Sequence, residues 1–323
     1  EMSRRVPIAA PTGKGGANRS FESVAEASPT GANDTYGTAV SGTTSPENKY
    51  YVDGLSTNDP GFGLNGTGLS VEFVEEVRVE TGGYMPEYGR ATGGIISATT
   101  KSGSNEFHGS VWGTYTPGAL EGRREVPERA GSSITTERSL SWLGDAGFNV
   151  GGRLIKDKLW FFGGVSVSRT VYDIETSINR SITREDGSTD TRNPDTGKQT
   201  GYDIDGIRIP GVTATERVYG SSVQRKAQGT TVQALGKLTY TPHRNHTLEL
   251  LGICAPTTSG GNDAFGRETY GLDARTGQPE IVSGFGTYNA LARRYRDNSG
   301  DLQLKWNATS ADNKWNVDTT LGW

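Results

Sequence analysis

From Glu106 to Trp323 the chain alternates with a period of two, in one short run after another. In Trp142–Leu154 one row holds Trp142, Gly144, Ala146, Phe148, Val150, Gly152 and Leu154, and the other holds Ser141, Asp145, Asn149 and Arg153. Leu159, Phe161, Val165 and Val167 stand against Ser166 and Ser168; Val232, Ala234, Leu238 and Tyr240 stand against Thr231, Gln233, Lys237 and Thr239. The pattern returns with Leu302, Leu304 and Trp306, and again with Trp315, Val317, Leu321 and Trp323. Successive strand residues point to opposite faces, so such a run has one apolar and one polar face. Each run is roughly ten residues, the length of a tilted strand that crosses a bilayer.

The connections sort by length. Lys156–Lys158, Pro242–His246 and Ser310–Asn313 are tight turns, whereas Thr116–Ser139, Ser177–Gln228 and Ala255–Asn298 are long and polar. A single alternating run fits a soluble sandwich better. Repetition with short turns on one side and long loops on the other predicts an outer-membrane β-barrel, with charged side chains in a wet lumen. Leu238, Trp306 and Val317 are expected to face lipid, and Lys237, Lys305 and Asp318 to face inward. The 46 glycines, against a usual share of ~7%, suit turns and strands. A net charge of −4 argues against a nucleic-acid partner. Cys254 is the single cysteine, which excludes an internal disulfide. Glu1–Arg5 lacks the apolar stretch of a signal peptide, and Met2 after Glu1 reads as the interior of something longer.

Up to Ser104 the chain is mixed. Phe21, Val24 and Ala25 fall at helical spacing, with Ser20 able to cap and Pro29 to stop the helix. Lys49–Val52, Glu75–Glu80 and Gly94–Thr100 read as strands, separated by glycine-rich loops such as Asn58–Gly68. The small side chains of Tyr88–Lys101 allow tight packing, and Phe107 opens the first alternating strand.

The segments VEEVRVETGGYMPEYGRATGG and IISATTKSGSNEFHGSV resemble the end of the plug domain of TonB-dependent outer-membrane receptors. Glu75, Val77, Val79, Gly82, Tyr88, Gly89, Gly93, Gly94, Ile95, Thr100 and Lys101 match that pattern, and Tyr51, Val52, Asp53 and Gly54 match its earlier "LIDGV" strand. SPENKYYVDG, YGRATGG, KSGSNEFHGS and IKDKLWFF are similar to the Oar-like branch. Thr81 departs from the pattern where many members carry arginine, which puts that arginine's plug or wall contact in doubt.

The resemblance implies a mainly β chain: a small mixed α/β plug at residues 1–104, then about seven antiparallel strands of a truncated, unclosed transmembrane barrel at 105–323. A plugged lumen goes with about 22 strands, and about eight enclose only side chains. It also implies a receptor in the bacterial outer membrane, in contact with its lipid. Such a receptor binds an extracellular solute and draws energy from the TonB–ExbB–ExbD complex through a segment upstream of Glu1. A TonB box and a carboxypeptidase-regulatory-like domain are expected there too. No catalysis, cofactor or nucleic acid is implied. The plug segment Leu55–Gly68 would face outward, making Asn58, Phe62 and Asn65 candidate solute contacts with Thr35 and Tyr36. A passive porin or adhesin barrel is the alternative, and a secreted carbohydrate-active β protein is a second.

Other motifs carry little. Gly61–Gly66 matches G-x-G-x-x-G without the following helix that a dinucleotide fold needs. His243 and His246 lack a third ligand beside them, and His108 reads as a lumen-facing strand residue. Asp186, Asp190, Asp195, Asp203 and Asp205 do not have EF-hand spacing, and acidic loops of this kind are usually solvated.

Overall fold

The computed structural model describes residues 20–25, 28–34, 37–61, 63–85, 88–89, 91–120, 122, 134–181, 215–261, 264–266, 271–272, 279–280 and 294–323. A one-turn helix α1 (Phe21–Ala25) buries Phe21 and Ala25, as their spacing predicts. Ser20 does not cap it. Its hydroxyl is buried without a hydrogen-bond partner, and its backbone bridges Ser70 instead. A small hairpin follows, β1 (Gly31–Asn33) with β2 (Thr38–Val40). Strands β3 (Lys49–Val52), β4 (Leu55–Ser56), β5 (Val74–Glu80) and β6 (Ile95–Thr100) make a four-stranded sheet in the order β4-β3-β6-β5, with β3 and β6 parallel. The three strands expected before residue 104 are therefore all present.

The second sheet is the wall. Its members are β7 (His108–Pro117), β8 (Ile134–Ile155), β9 (Leu159–Ser181), β10 (Thr215–Arg217), β11 (Val223–His243), β12 (His246–Cys254), β13 (Thr257–Ser259), β14 (Ala264–Gly266), β17 (Tyr295–Asp297), β18 (Gly300–Thr309) and β19 (Asn316–Gly322). A separate pair, β15 (Gly271–Leu272) and β16 (Pro279–Glu280), lies between β14 and β17 in sequence. The main path β7-β8-β9-β11-β12-β18-β19 is antiparallel throughout, and its two outer strands do not pair with each other. The sheet is open; seven strands lie on its main path, and β10, β13, β14 and β17 pair off it.

Strand length departs from expectation. β8, β9 and β11 run for 22, 23 and 21 residues, about twice what a bilayer needs. Parts of the three segments read as long loops are strand, because a backbone leaving the lipid still needs hydrogen-bond partners. Alternation fades there: Gln224, Arg225 and Lys226 are all exposed, whereas Tyr172, Ile174 and Ala227 form a second apolar cluster with Phe265. The acidic run from Asp186 to Asp205 lies outside the described residues.

Sidedness follows the alternation. Leu238, Leu304, Trp306 and Val317 are exposed on the outer face. Asn149, Ser166, Ser168, Thr170, Thr231, Gln233, Lys237 and Gln303 are buried on the inner one. Asp318 lies opposite Asn307, in the row of Lys305. The lumen is not uniformly wet, however. Phe162, Leu235, Leu251 and Ile253 occupy inner positions and share one core with Phe21, Tyr50, Val52, Leu69, Phe73 and Ile96 of the N-terminal unit. In the intact barrel, Leu238→Arg is expected to cost about 2–4 kcal/mol of bilayer folding stability, while Lys305→Arg costs little. Denaturant titration into lipid vesicles measures both, and equal losses would contradict the sidedness.

Candidate functional site

The loop from Thr57 to Gly66 is closed by its own backbone: Asp59 N–H donates to Leu64 O at 2.7 Å and Gly66 N–H to Thr57 O at 2.8 Å. Asn58 threads it to β3. Its Oδ1 accepts from Tyr50 N–H (2.9 Å), and its Nδ2 donates to Asn48 O (3.0 Å) and Gly63 O (2.7 Å). Asn65 is buried; its Nδ2 donates to Glu22 Oε2 (3.2 Å) and its Oδ1 accepts from the Thr57 hydroxyl (3.3 Å). Both amides, expected to reach toward solute, are committed to holding the loop. A short loop on a packed sheet must satisfy its backbone groups, and asparagine supplies both donor and acceptor. Among the loop's described residues the exposed ones are Pro60 and Gly61. Thr35, Tyr36 and Phe62 lie outside the described residues.

Beneath the loop, Tyr50 is fully buried and its hydroxyl donates to Ser45 O (3.4 Å). Burial, then the charges of Glu22 and Asp34, push its ionisation far above the usual phenol range. Asp34 accepts from the N–H of Ser45 at 2.6 Å and from that of Gly37 at 2.9 Å, so it ties the β1–β2 turn to this floor. Exposed Glu47 takes the backbone N–H of Thr44 at 2.7 Å and its hydroxyl at 2.9 Å, which lowers its pKa.

At the far end of β3 the chain turns through Asp53 (φ 47°) and Gly54 (φ 89°), and this turn docks on the wall. The Asp53 carboxylate accepts from Thr100 N–H (2.8 Å), from the Thr100 hydroxyl and from Lys237 Nζ (3.1 Å). Both charged side chains are nearly sealed, at 7% and 5% exposure, and Glu249 stands 3.7 Å from Lys237. Gln303 Nε2 donates to the Asp53 carbonyl at 3.0 Å. Lys237, Leu251, Gln303 and Gly322 are register partners across four wall strands, so the hairpin lies along one level of the wall.

A second contact uses other chemistry. Phe73 packs edge-on against Trp112 at 5.8 Å, and its ring fills a notch at Gly164, where a Cβ would lie 2.5 Å from the ring edge. The Glu72 carbonyl beside it accepts from Asn149 Nδ2 (3.2 Å) and Lys101 Nζ (2.8 Å). The following linker crosses the wall at Gly103, where any side chain would meet the carbonyls of Phe161 and Gly152. Asn105 then clamps the β8–β9 turn: its Oδ1 accepts from Trp160 Nε1 (2.9 Å) and Asp157 N–H (3.1 Å), and its Nδ2 donates to Asp157 Oδ1 (2.6 Å). The small residues before Phe107 thus pass close to backbone, and the polar turn is a clamp.

The remaining motif residues have structural places. Val77 packs on the shared core. Tyr88 meets Tyr51 edge-on at 5.4 Å, next to Gly89. Gly93 and Gly94 are buried, and Gly94 N–H donates to Asn48 Oδ1 (2.7 Å). Glu75 is exposed on β5 and lines, with Glu76, Arg78, Lys237, Glu249 and Lys305, a polar cavity of about 670 Å³ between the small sheet and the wall. Thr81 is exposed, and its carbonyl accepts from Ser41 Oγ at 3.4 Å. His108 shares the inner row of β7 with Trp112, and His246 stacks on Trp306 at 6.1 Å. Among the described residues no group of three or more His, Cys, Asp or Glu side chains is arranged to hold a metal.

A sequence profile of the family described as outer membrane beta barrel domain matches residues 99–313. Among curated proteins, the TonB-dependent transporter Oar of Myxococcus xanthus is 42% identical over 329 residues, which cover 100% of this chain and 28% of Oar. The chain therefore spans less than a third of that relative's length. Among solved structures, the outer membrane transporter YddB from Escherichia coli is similar with a TM-score of 0.53 over 97% of this chain and 37% of YddB, at 15% identity. That likeness is one of fold.

Proposed function

The chain belongs to the outer-membrane β-barrel family, and from that membership we propose that it forms the plug and first wall strands of a TonB-dependent transporter. Residues 1–104 are the plug and 105–323 the opening of the barrel. The observation that carries this reading is the Asp53 hairpin, seated on the inner face of the wall through Lys237 and Gln303. A porin has no use for a folded unit fastened across its lumen. The transporter captures an extracellular solute and releases it inward when the TonB–ExbB–ExbD complex, engaged through a segment upstream, displaces the plug. The chain is a carrier and performs no covalent chemistry.

The solute site includes the loop from Thr57 to Gly66, with Phe62, Thr35 and Tyr36 as the candidate contacts. Asn58 and Asn65 act through the shape of that loop. In the intact receptor, Phe62→Ala together with Tyr36→Ala is expected to leave membrane insertion and heat-modifiable mobility unchanged. Retention of small molecules from growth medium by the purified receptor, read by mass spectrometry, should fall. Asn58→Ala should instead make the loop protease-sensitive. Uptake of the retained compound that persists without TonB would establish a passive barrel, and unchanged retention would move the site to the long loops.

A further inference from the structure

The two ends of the wall treat their exposed charges differently. At the long-loop end of β9 and β11, cations are matched by acids of the chain: Lys226 Nζ lies 2.8 Å from Asp173, and Arg217 lies 3.2 Å from Glu137 and 3.5 Å from Glu175. At the short-turn end they are not. The Lys156–Lys158 and Pro242–His246 turns stand side by side, because β9 and β11 pair down to Leu159 and Tyr240, and Thr241 N–H donates to Lys158 O at 2.8 Å. Arg153, Lys156, Lys158, His243 and Arg244 are exposed there. Two acids accompany them, Asp157, whose carboxylate accepts from Asn105 Nδ2 at 2.6 Å, and exposed Glu106 beside that clamp. The four permanent cations thus keep an excess of two charges, and among the described residues no ion pair holds any of them. The third short turn is balanced, with Lys314 Nζ 3.0 Å from Asp312.

This basic rim begins where the lipid-facing surface stops. Leu154 and Ile155 are exposed immediately before Lys156, and Tyr240 is exposed just ahead of the second turn. Trp306 is exposed on the adjoining β18, with the His246 ring stacked on it at 6.1 Å. Aromatic side chains on a barrel's outer face mark the headgroup level, and short turns lie on the periplasmic side. From this placement we infer that the paired turns form a binding site for anionic phospholipid of the periplasmic leaflet, with Lys156, Lys158 and Arg244 on the headgroup phosphate. Arg244 offers a planar fork of donors that fits a phosphate, and the lysines supply point charges around it. Leu154, Ile155 and Tyr240 meet the acyl chains. A zwitterionic headgroup carries an ammonium that the rim's cations repel, whereas phosphatidylglycerol keeps a net negative charge for them. The site depends on the wall's place in the membrane and is independent of what drives transport.

The test is native mass spectrometry of the intact detergent-solubilised receptor, offered phosphatidylglycerol and phosphatidylethanolamine with identical acyl chains. The unmodified receptor should retain phosphatidylglycerol several-fold over phosphatidylethanolamine. Lys156→Gln/Lys158→Gln/Arg244→Gln should bring that ratio close to one, with heat-modifiable mobility unchanged, and Arg244→Gln alone should lower it in part. Lys314→Gln, at the balanced turn, should leave the ratio as it was. Raised salt should weaken the preference, since exposed charges are screened. Equal retention of the two lipids by the unmodified receptor overturns the site, as does a preference that survives in the triple variant or falls equally in Lys314→Gln. Displacement of phosphatidylglycerol by millimolar inorganic phosphate would mean a site for free anions and overturn the lipid assignment.

Discussion

Lys237→Met should destabilise the docked N-terminal unit by about 3–5 kcal/mol, because it leaves the Asp53 carboxylate sealed without its counter-charge. Asp53 keeps its Thr100 hydrogen bonds in that variant, but those are neutral donors. The double variant Asp53→Asn/Lys237→Met should recover most of the loss, since an amide and a thioether need no buried counter-ion. Calorimetric unfolding of the detergent-solubilised receptor, with limited proteolysis of the plug, separates the two cases. A double variant as unstable as Lys237→Met would mean that the pair does not act as a unit.

Phe73→Ala should cost about 3–5 kcal/mol through lost burial and a notch the wall cannot close. The notch is backbone at Gly164, so relaxation would require β9 to move against both of its neighbours. Gly164→Val tests the same contact from the other side, by overfilling it. Restoring volume in the pair Phe73→Leu/Gly164→Ala should regain part of the loss. If Phe73→Ala is silent in calorimetry, the ring does not anchor the plug.

The alternation from Trp142 onward made the wall legible, because lipid demands one apolar row and pairing demands period two. It could not show where the lipid ends. β8 and β9 continue as strands beyond it, where a second apolar cluster of Tyr172, Ile174, Ala227 and Phe265 covers the inner row and no lipid keeps the outer row apolar. Nor could it show Phe162 or Leu235 as lumen residues. Each sits among apolar neighbours on the opposite face, so its row looked polar by majority. Asp53-Gly54 was legible as a turn, but its partner Lys237 lies 184 residues away with no local mark of the pairing. Asn58 and Asn65 were read as solute contacts because an asparagine in a glycine-rich loop has the same appearance whether its amide turns outward or inward. In the structure the two amides turn to the carbonyls of Asn48 and Gly63 and to the carboxylate of Glu22, partners with no local mark in the sequence.

The hydrophobic interior of the N-terminal unit is completed by side chains of the wall: Phe162, Leu235, Leu251 and Ile253 close what Phe21, Leu69, Phe73 and Ile96 begin. A boundary drawn at residue 104 therefore separates two stretches of sequence without separating two interiors. Exchange of plugs between related barrels is constrained accordingly. A transplanted plug would arrive with half an interior shaped for another wall, so the two halves are expected to diversify together and not by shuffling. Variation can accumulate at Pro60 and Gly61, the exposed positions described in the loop held by Asn58 and Asn65, while the hairpin level of Lys237, Leu251 and Gln303 must change in step with what it receives.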